Sequence, residues 1–143
     1  MDVRRSGLQL VIVRKRITYT GGAGAGAVGS VAIFTISAGG AALITITARC
    51  ATSLTGATAT IALGVTGNTS LLIAATTATG ITTSAPHWTS ITPATGGIAV
   101  PAAMKDIQID ASILNTIAVA GVSGGVIDYT LMYVPLIAGT VFT

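Results

Sequence analysis

The 143-residue sequence predicts an all-β fold: a single β-sandwich, jelly-roll or related Greek-key, with an extended N-terminal arm. Three observations lead there. Runs rich in Val, Ile, Thr and Ala recur along the chain, and Gly, Asn, Ser or Pro interrupts them at short intervals. Segments such as "ALITITARC" and "VIDYTLMYV" alternate with a period of two. No segment carries the apolar stripe of period 3.6, polar on its far side, that a core-facing helix shows. At this length one domain is expected, large enough to hold a core without metal or disulfide.

The first predicted strand, 8–19, is long enough to bend. Residues 1–30 therefore read as a basic N-terminal arm and a Gly/Ala-rich linker, and 31–143 as the sandwich domain. Strands are expected at 31–37, 42–50, 57–65, 69–76, 86–91, 106–110, 114–120 and 126–134. Between them "AGG" (38–40), "LTG" (54–56), "TGN" (66–68) and "SGG" (123–125) place glycine at or near short turns, which suits antiparallel neighbours. In "ATATIALGV", alternation puts Ala57, Ala59, Ile61, Leu63 and Val65 on one face and Thr58, Thr60, Ala62 and Gly64 on the other. In the last strand Ile127, Tyr129, Leu131 and Tyr133 oppose Val126, Asp128, Thr130, Met132 and Val134. Neither of those two faces is fully polar, so one is expected in the core and the other at an interface.

Charge is the unusual quantity. Charged residues are 8% of the chain, glutamate is absent, and none occurs between Arg49 and Lys105; ordinary domains carry roughly 25%. A monomer so poor in charge is prone to associate. Much of its surface is therefore expected to be covered in a permanent assembly, with Thr and Ser hydroxyls wetting the rest. The high mean hydropathy of +0.83 calls for a membrane test. The uncharged stretch "VGSVAIFTISAGGAALITITA" is long enough to span a bilayer. Yet Gly39-Gly40 interrupts it and Ile44 and Ile46 alternate with Thr45 and Thr47, a strand pattern. The run "GLQLVIV" meets "RKR" where a signal peptide needs a small-residue cleavage site, and so reads as mature chain.

Motifs for chemistry fail on their surroundings. Gly24-Ala25-Gly26-Ala27-Val28-Gly29 has the spacing of a dinucleotide fingerprint, which requires a helix next and an acid about 20 residues later. A strand-like "SVAIFTI" follows instead, and the next acid is Asp106. No cofactor is expected. Cys50 is the only cysteine and reads as a buried, inert thiol. His87 is the only histidine, so it builds no transition-metal site, and neither Ser84 nor Ser90 lies in a nucleophile setting. Pro86-His87-Trp88 is expected to begin an edge strand. Asp106 and Asp110, about 13 Å apart on a strand, are too distant for a retaining carboxylate pair. They read as a solvated or salt-bridged edge in preference to a calcium site. Asn68-Thr69-Ser70 reads as a turn. No catalytic or metal-binding residue is assigned, and an enzyme is not expected.

The basic cluster carries the functional expectation. Five of the seven Lys and Arg are Arg4, Arg5, Arg14, Lys15 and Arg16. Alternation places Arg14 and Arg16 on one side of a strand and Lys15 on the other. Nucleic acid is set below a protein partner, because only Tyr19 is nearby to stack a base. An arm docking on an acidic protein surface, adding main-chain hydrogen bonds to a neighbour's sheet edge, also uses the apolar "LQLVIV".

The segments "LTGATATIALGVTGNTSLLIAATTAT" and "GGVIDYTLMYVPL" give the chain, over roughly residues 17–136, a texture that resembles small β-rich virion proteins of tailed bacteriophages, head decoration or cement proteins among them. The resemblance implies a non-enzymatic capsid decoration protein on the virion exterior, stabilising the head. Its partners would be copies of itself, as a homotrimer, and the major capsid protein. The alternatives are a tail or fibre component, with a receptor-binding role, and a holin-like membrane protein.

Overall fold

The structure is a computed structural model and describes residues 9–143. Buried Ile127, Tyr129, Leu131 and Tyr133 alternate with half-exposed Val126, Asp128, Thr130, Met132 and Val134. The strand that carries them therefore has one face in the core. The same logic runs through eight strands: β1 (Val11–Thr18), β2 (Gly29–Phe34), β3 (Ala42–Thr55), β4 (Thr60–Val65), β5 (Asn68–Thr77), β6 (Ile107–Ile109), β7 (Ile113–Ala118) and β8 (Gly124–Pro135). Two antiparallel sheets result, in the orders β1-β8-β3-β6 and β2-β7-β4-β5. The pairing is nested: first with eighth, second with seventh, third with sixth, fourth with fifth. The fold is the all-β sandwich that the strand pattern predicts.

Inward side chains of both sheets make one core. Ile44, Ile46, Leu131 and Tyr129 come from the first sheet, and Ile61, Leu63, Ile113 and Ile117 from the second. Burying such apolar surface stabilises by roughly 25 cal/mol per Å². Trp88, fully buried, packs edge-on to Tyr129 at a centroid distance of 6.5 Å, and its Nε1 donates to Thr76 Oγ1 at 3.0 Å. All six aromatic residues are buried. The helical residues among those described are two three-residue 3-10 turns, Ala78–Gly80 and Ala102–Met104. No helix there is long and apolar enough to cross a membrane. The uncharged stretch from Val28 to Ala48 forms β2, a turn at Gly39 and half of β3.

Departures from the sequence reading have local causes. Residues 11–18, expected within an arm, pair along their whole length with β8, from Val11 opposite Tyr133 to Thr18 opposite Val126. The predicted strand at 86–91 does not form. Pro86 O accepts from Cys50 N at 2.7 Å and Trp88 N donates to Ala48 O at 3.1 Å, after which the chain turns back at Ala94. This is an edge contact on β3 beyond the end of β6, brief because Pro86 has no N–H to offer. Residue Ala57 is exposed, since the turn closed by Ala59 N to Gly56 O delays β4 to Thr60. On the face of Thr58, Thr60 and Ala62, Gly64 is buried because the bulged start of β5 lies against it: a Cβ there would come within 2.2 Å of Thr69 backbone.

Candidate functional site

The glycine motif caps one end of the sandwich. Gly24, Gly26 and Gly29 all have positive φ, and Gly29 opens β2, a strand where a nucleotide site needs a helix. Gly26 O accepts from Val122 N at 2.8 Å, tying the loop to the segment before β8. Beneath lies a cavity of about 20 Å³ bordered by Tyr19, Asn115 and aliphatic residues, room for about one water. It is too small for a nucleotide.

Behind that cavity is a buried polar ring. Asn115 of β7 donates through Nδ2 to the Tyr19 hydroxyl at 2.6 Å, the two tyrosine hydroxyls lie 3.0 Å apart, and the Tyr129 hydroxyl donates to Asn115 Oδ1 at 3.0 Å. With Tyr19 donating to Tyr129, each of these donors has an acceptor and the ring closes across the two sheets. Burial pushes both phenols above their ordinary range. These are neutral, structural hydroxyls at physiological pH.

The isolated candidates stay apart. His87 is half-buried, with Nε2 2.7 Å from Gly96 O, so it clasps its own loop. Asp106 and Asp110 flank the three-residue β6 and are both exposed, and the Asp106 amide donates to Thr45 Oγ1 at 3.3 Å. Among the described residues no three His, Cys, Asp or Glu come together as metal ligands. Cys50 is buried, and burial raises its thiol pKa. Asn68, Thr69 and Ser70, expected in a turn, instead open β5: the turn is Thr66-Gly67, and Asn68 already pairs with Val65.

What the fold does organise is charge. The strands β2, β4, β5 and β7 contain no charged residue, so one whole sheet is neutral. Its outer side presents Ser30, Ala32, Thr60, Thr116 and Ala118, with Ser30 and Thr116 hydroxyls 2.7 Å apart. Among the described residues, every charge lies on or beside the other sheet. There the register aligns Arg16, Asp128 and Arg49 across β1, β8 and β3, with Arg14 two residues along opposite Thr130. Arg16 grips Asp128 with two hydrogen bonds, Nε to Oδ1 at 2.6 Å and Nη2 to Oδ2 at 2.8 Å. Those bonds hold the Asp128 carboxyl below its ordinary range, helped by the charges of Arg16 and Arg49. The same bonds raise the Arg16 pKa.

Of the expected arm residues, Arg14 and Arg16 project outward and are exposed, while Lys15 sits half-buried on the core-facing side opposite Tyr129. Arg4 and Arg5 lie outside the described residues. Arg49, distant in sequence, joins the group only through strand register. The sequence marks it only as an isolated charge, the one in β3 as Asp128 is the one in β8, without linking the two. Further along the same outer side the character changes to apolar. Ile12 and Leu10 are exposed, with Met132, Val134 and Leu43 half-exposed beside them.

No protein family and no curated protein sequence matches the chain. Among solved structures it is similar to a chain described as "Cyanophage Pam1 capsid asymmetric unit", with a TM-score of 0.53 and 17% identity, over 89% of this chain and 85% of that one. The likeness is one of fold. It spans both sheets rather than a fragment.

Proposed function

We propose that this chain is a non-enzymatic structural protein of a phage capsid, a decoration or cement protein on the outside of the head. The observation that carries the reading is the fold likeness to a cyanophage capsid chain over most of both chains. The nested strand pairing supports a jelly-roll, whose two Greek keys give this kind of order. The division of charge supports a building block. Copies that met through the basic side would repel, so self-association into a trimer uses the neutral β2-β7-β4-β5 sheet. The basic side is then left for the major capsid protein. Arg14 and Arg16, with Arg4 and Arg5 preceding them in the sequence, tie the subunit to its neighbours. Because each contact recurs around a shell, modest individual affinities suffice.

Mass spectrometry of heads and tails separated from disrupted virions tests this. The chain is expected in the head fraction, at a copy number in simple ratio to the shell protein. Recovery in the tail fraction assigns it to tail or fibre. Recovery only in host membranes replaces the structural reading with a holin-like one.

A further inference from the structure

The geometry points to the outer side of the β1-β8-β3-β6 sheet as a composite docking face for a protein surface that sets carboxylates beside an apolar patch. This deepens the capsid reading by naming the partner's chemistry, and it rests on that reading only in taking the partner to be a shell protein.

Three features combine. First, Arg14, Arg16 and Arg49 form a stripe with a single carboxylate, Asp128, among them. Asp128 is already engaged by Arg16 through two hydrogen bonds, and among the described residues Arg49 has no carboxylate bound to it. Charge remains for an incoming anion. Second, a groove of about 340 Å³ lies between this stripe and the 85–101 segment, bordered by Arg49, His87, Thr47, Thr130, Ile98 and Val100. Asp128, its carboxylate already held by Arg16, also borders it; the rest of the lining sets a guanidinium and hydroxyls beside aliphatic carbon, which suits a side chain such as glutamate entering over its methylenes. Third, the stripe runs into the patch of Leu10, Ile12, Leu43, Met132 and Val134, with Leu10 63% and Ile12 51% exposed.

The third feature selects protein over nucleic acid. A phosphate backbone satisfies arginines and offers nothing to five aliphatic side chains on the same side. With all six aromatics buried, no exposed ring remains for stacking a base. An apolar centre with a charged margin is instead the make-up of protein interfaces, where charge directs encounter and register. The half-buried Lys15 adds a safeguard. A charge pointing inward from edge strand β1 discourages uncontrolled strand addition, so the sheet's outer side is offered and not its edge.

The test uses the full-length chain and three partners under one ionic strength: a labelled peptide of alternating Leu and Glu, a labelled DNA duplex, and emptied heads of the phage that encodes the chain. The wild type is expected to bind the peptide more tightly than the duplex in fluorescence anisotropy. Arg49→Glu and Arg14→Glu are each expected to weaken peptide binding roughly tenfold, the scale of a moderate hot-spot residue. Ile12→Ser is expected to weaken the peptide and leave the duplex unchanged. Unchanged thermal melting of these exposed-site variants establishes that they fold. Tighter binding of the duplex, or peptide binding unchanged in both arginine variants, overturns the proposal. Wild type that binds the peptide yet fails to sediment with heads overturns the capsid reading and leaves this surface standing. Heads bound equally by wild type and both arginine variants do the reverse.

Discussion

Replacing Gly24 and Gly26 separately by alanine asks why the glycines of the 24–29 motif are there. Gly24 has φ +72°, and a Cβ built on it meets nothing within 4 Å. Its alanine variant therefore bears only the left-handed strain, about 1–2 kcal/mol. Gly26 has φ +119°, and its Cβ would lie 2.1 Å from Val122 O and 3.0 Å from Gly21 N. That φ lies well beyond the left-handed helical region and costs about 1–3 kcal/mol for a residue with a side chain. The clash falls on backbone, so the carbonyl must retreat by about 1 Å, an overpacking cost of roughly 1–3 kcal/mol. The 2.8 Å bond from Val122 N to Gly26 O goes with it. Gly26→Ala should thus be less stable than Gly24→Ala by about 1–4 kcal/mol in urea unfolding, with a Tm lower by at least about 3 °C for a chain near this length. Equal loss in the two variants, or a greater loss from Gly24→Ala, refutes the packing explanation.

Removing the amide of the buried ring by Asn115→Ala strands one tyrosine hydroxyl and should cost about 1–3 kcal/mol for that group alone. Tyr129→Phe should then cost less in the Asn115→Ala background than in the wild type, as a double-mutant cycle in urea would show. Asp128→Asn releases Arg16 and should strengthen binding to the acidic Leu-Glu peptide while leaving the melting temperature almost unchanged, because exposed ion pairs contribute little. Since Arg16 depresses the Asp128 pKa, the bridge's contribution is complete above the ordinary aspartate range and is lost as pH falls through the depressed value. Whatever small difference in melting temperature separates wild type from Asp128→Asn near neutrality should therefore vanish in acid. Cys50, buried and with its thiol pKa raised, should react with a thiol reagent at pH 8 only after denaturant is added.

Much of the architecture was legible because strand alternation is a local signal. Ile127, Tyr129, Leu131 and Tyr133 face the core, as the period of two in "VIDYTLMYV" requires. The 86–91 segment misled for a reason that is also local. "PHWTS" has strand-like residues, but Pro86 and the turn back at Ala94 limit it to an edge contact. The basic group was half legible. Alternation separated Arg14 and Arg16 from Lys15, and the register agrees. Arg49 was invisible as a member, because its place beside Asp128 depends on the pairing of β3 with β8, 79 residues apart at that point. The neutrality of one entire sheet was hidden for the same reason. Composition shows how few charges there are, and only topology shows that they share a side. The Tyr19–Asn115–Tyr129 ring depends on sheet-to-sheet packing, which no local period reports.

A reconstruction of the intact virion, at a resolution that traces strands, would locate this sandwich outright. The expected result is density for the two four-stranded sheets repeated over the outer head surface, with the Arg14–Arg16–Arg49 side turned toward the shell and the uncharged sheet toward sister copies. Heads whose outer surface carries no such density, with the sandwich found in the tail or missing from the particle, would contradict a role as head decoration.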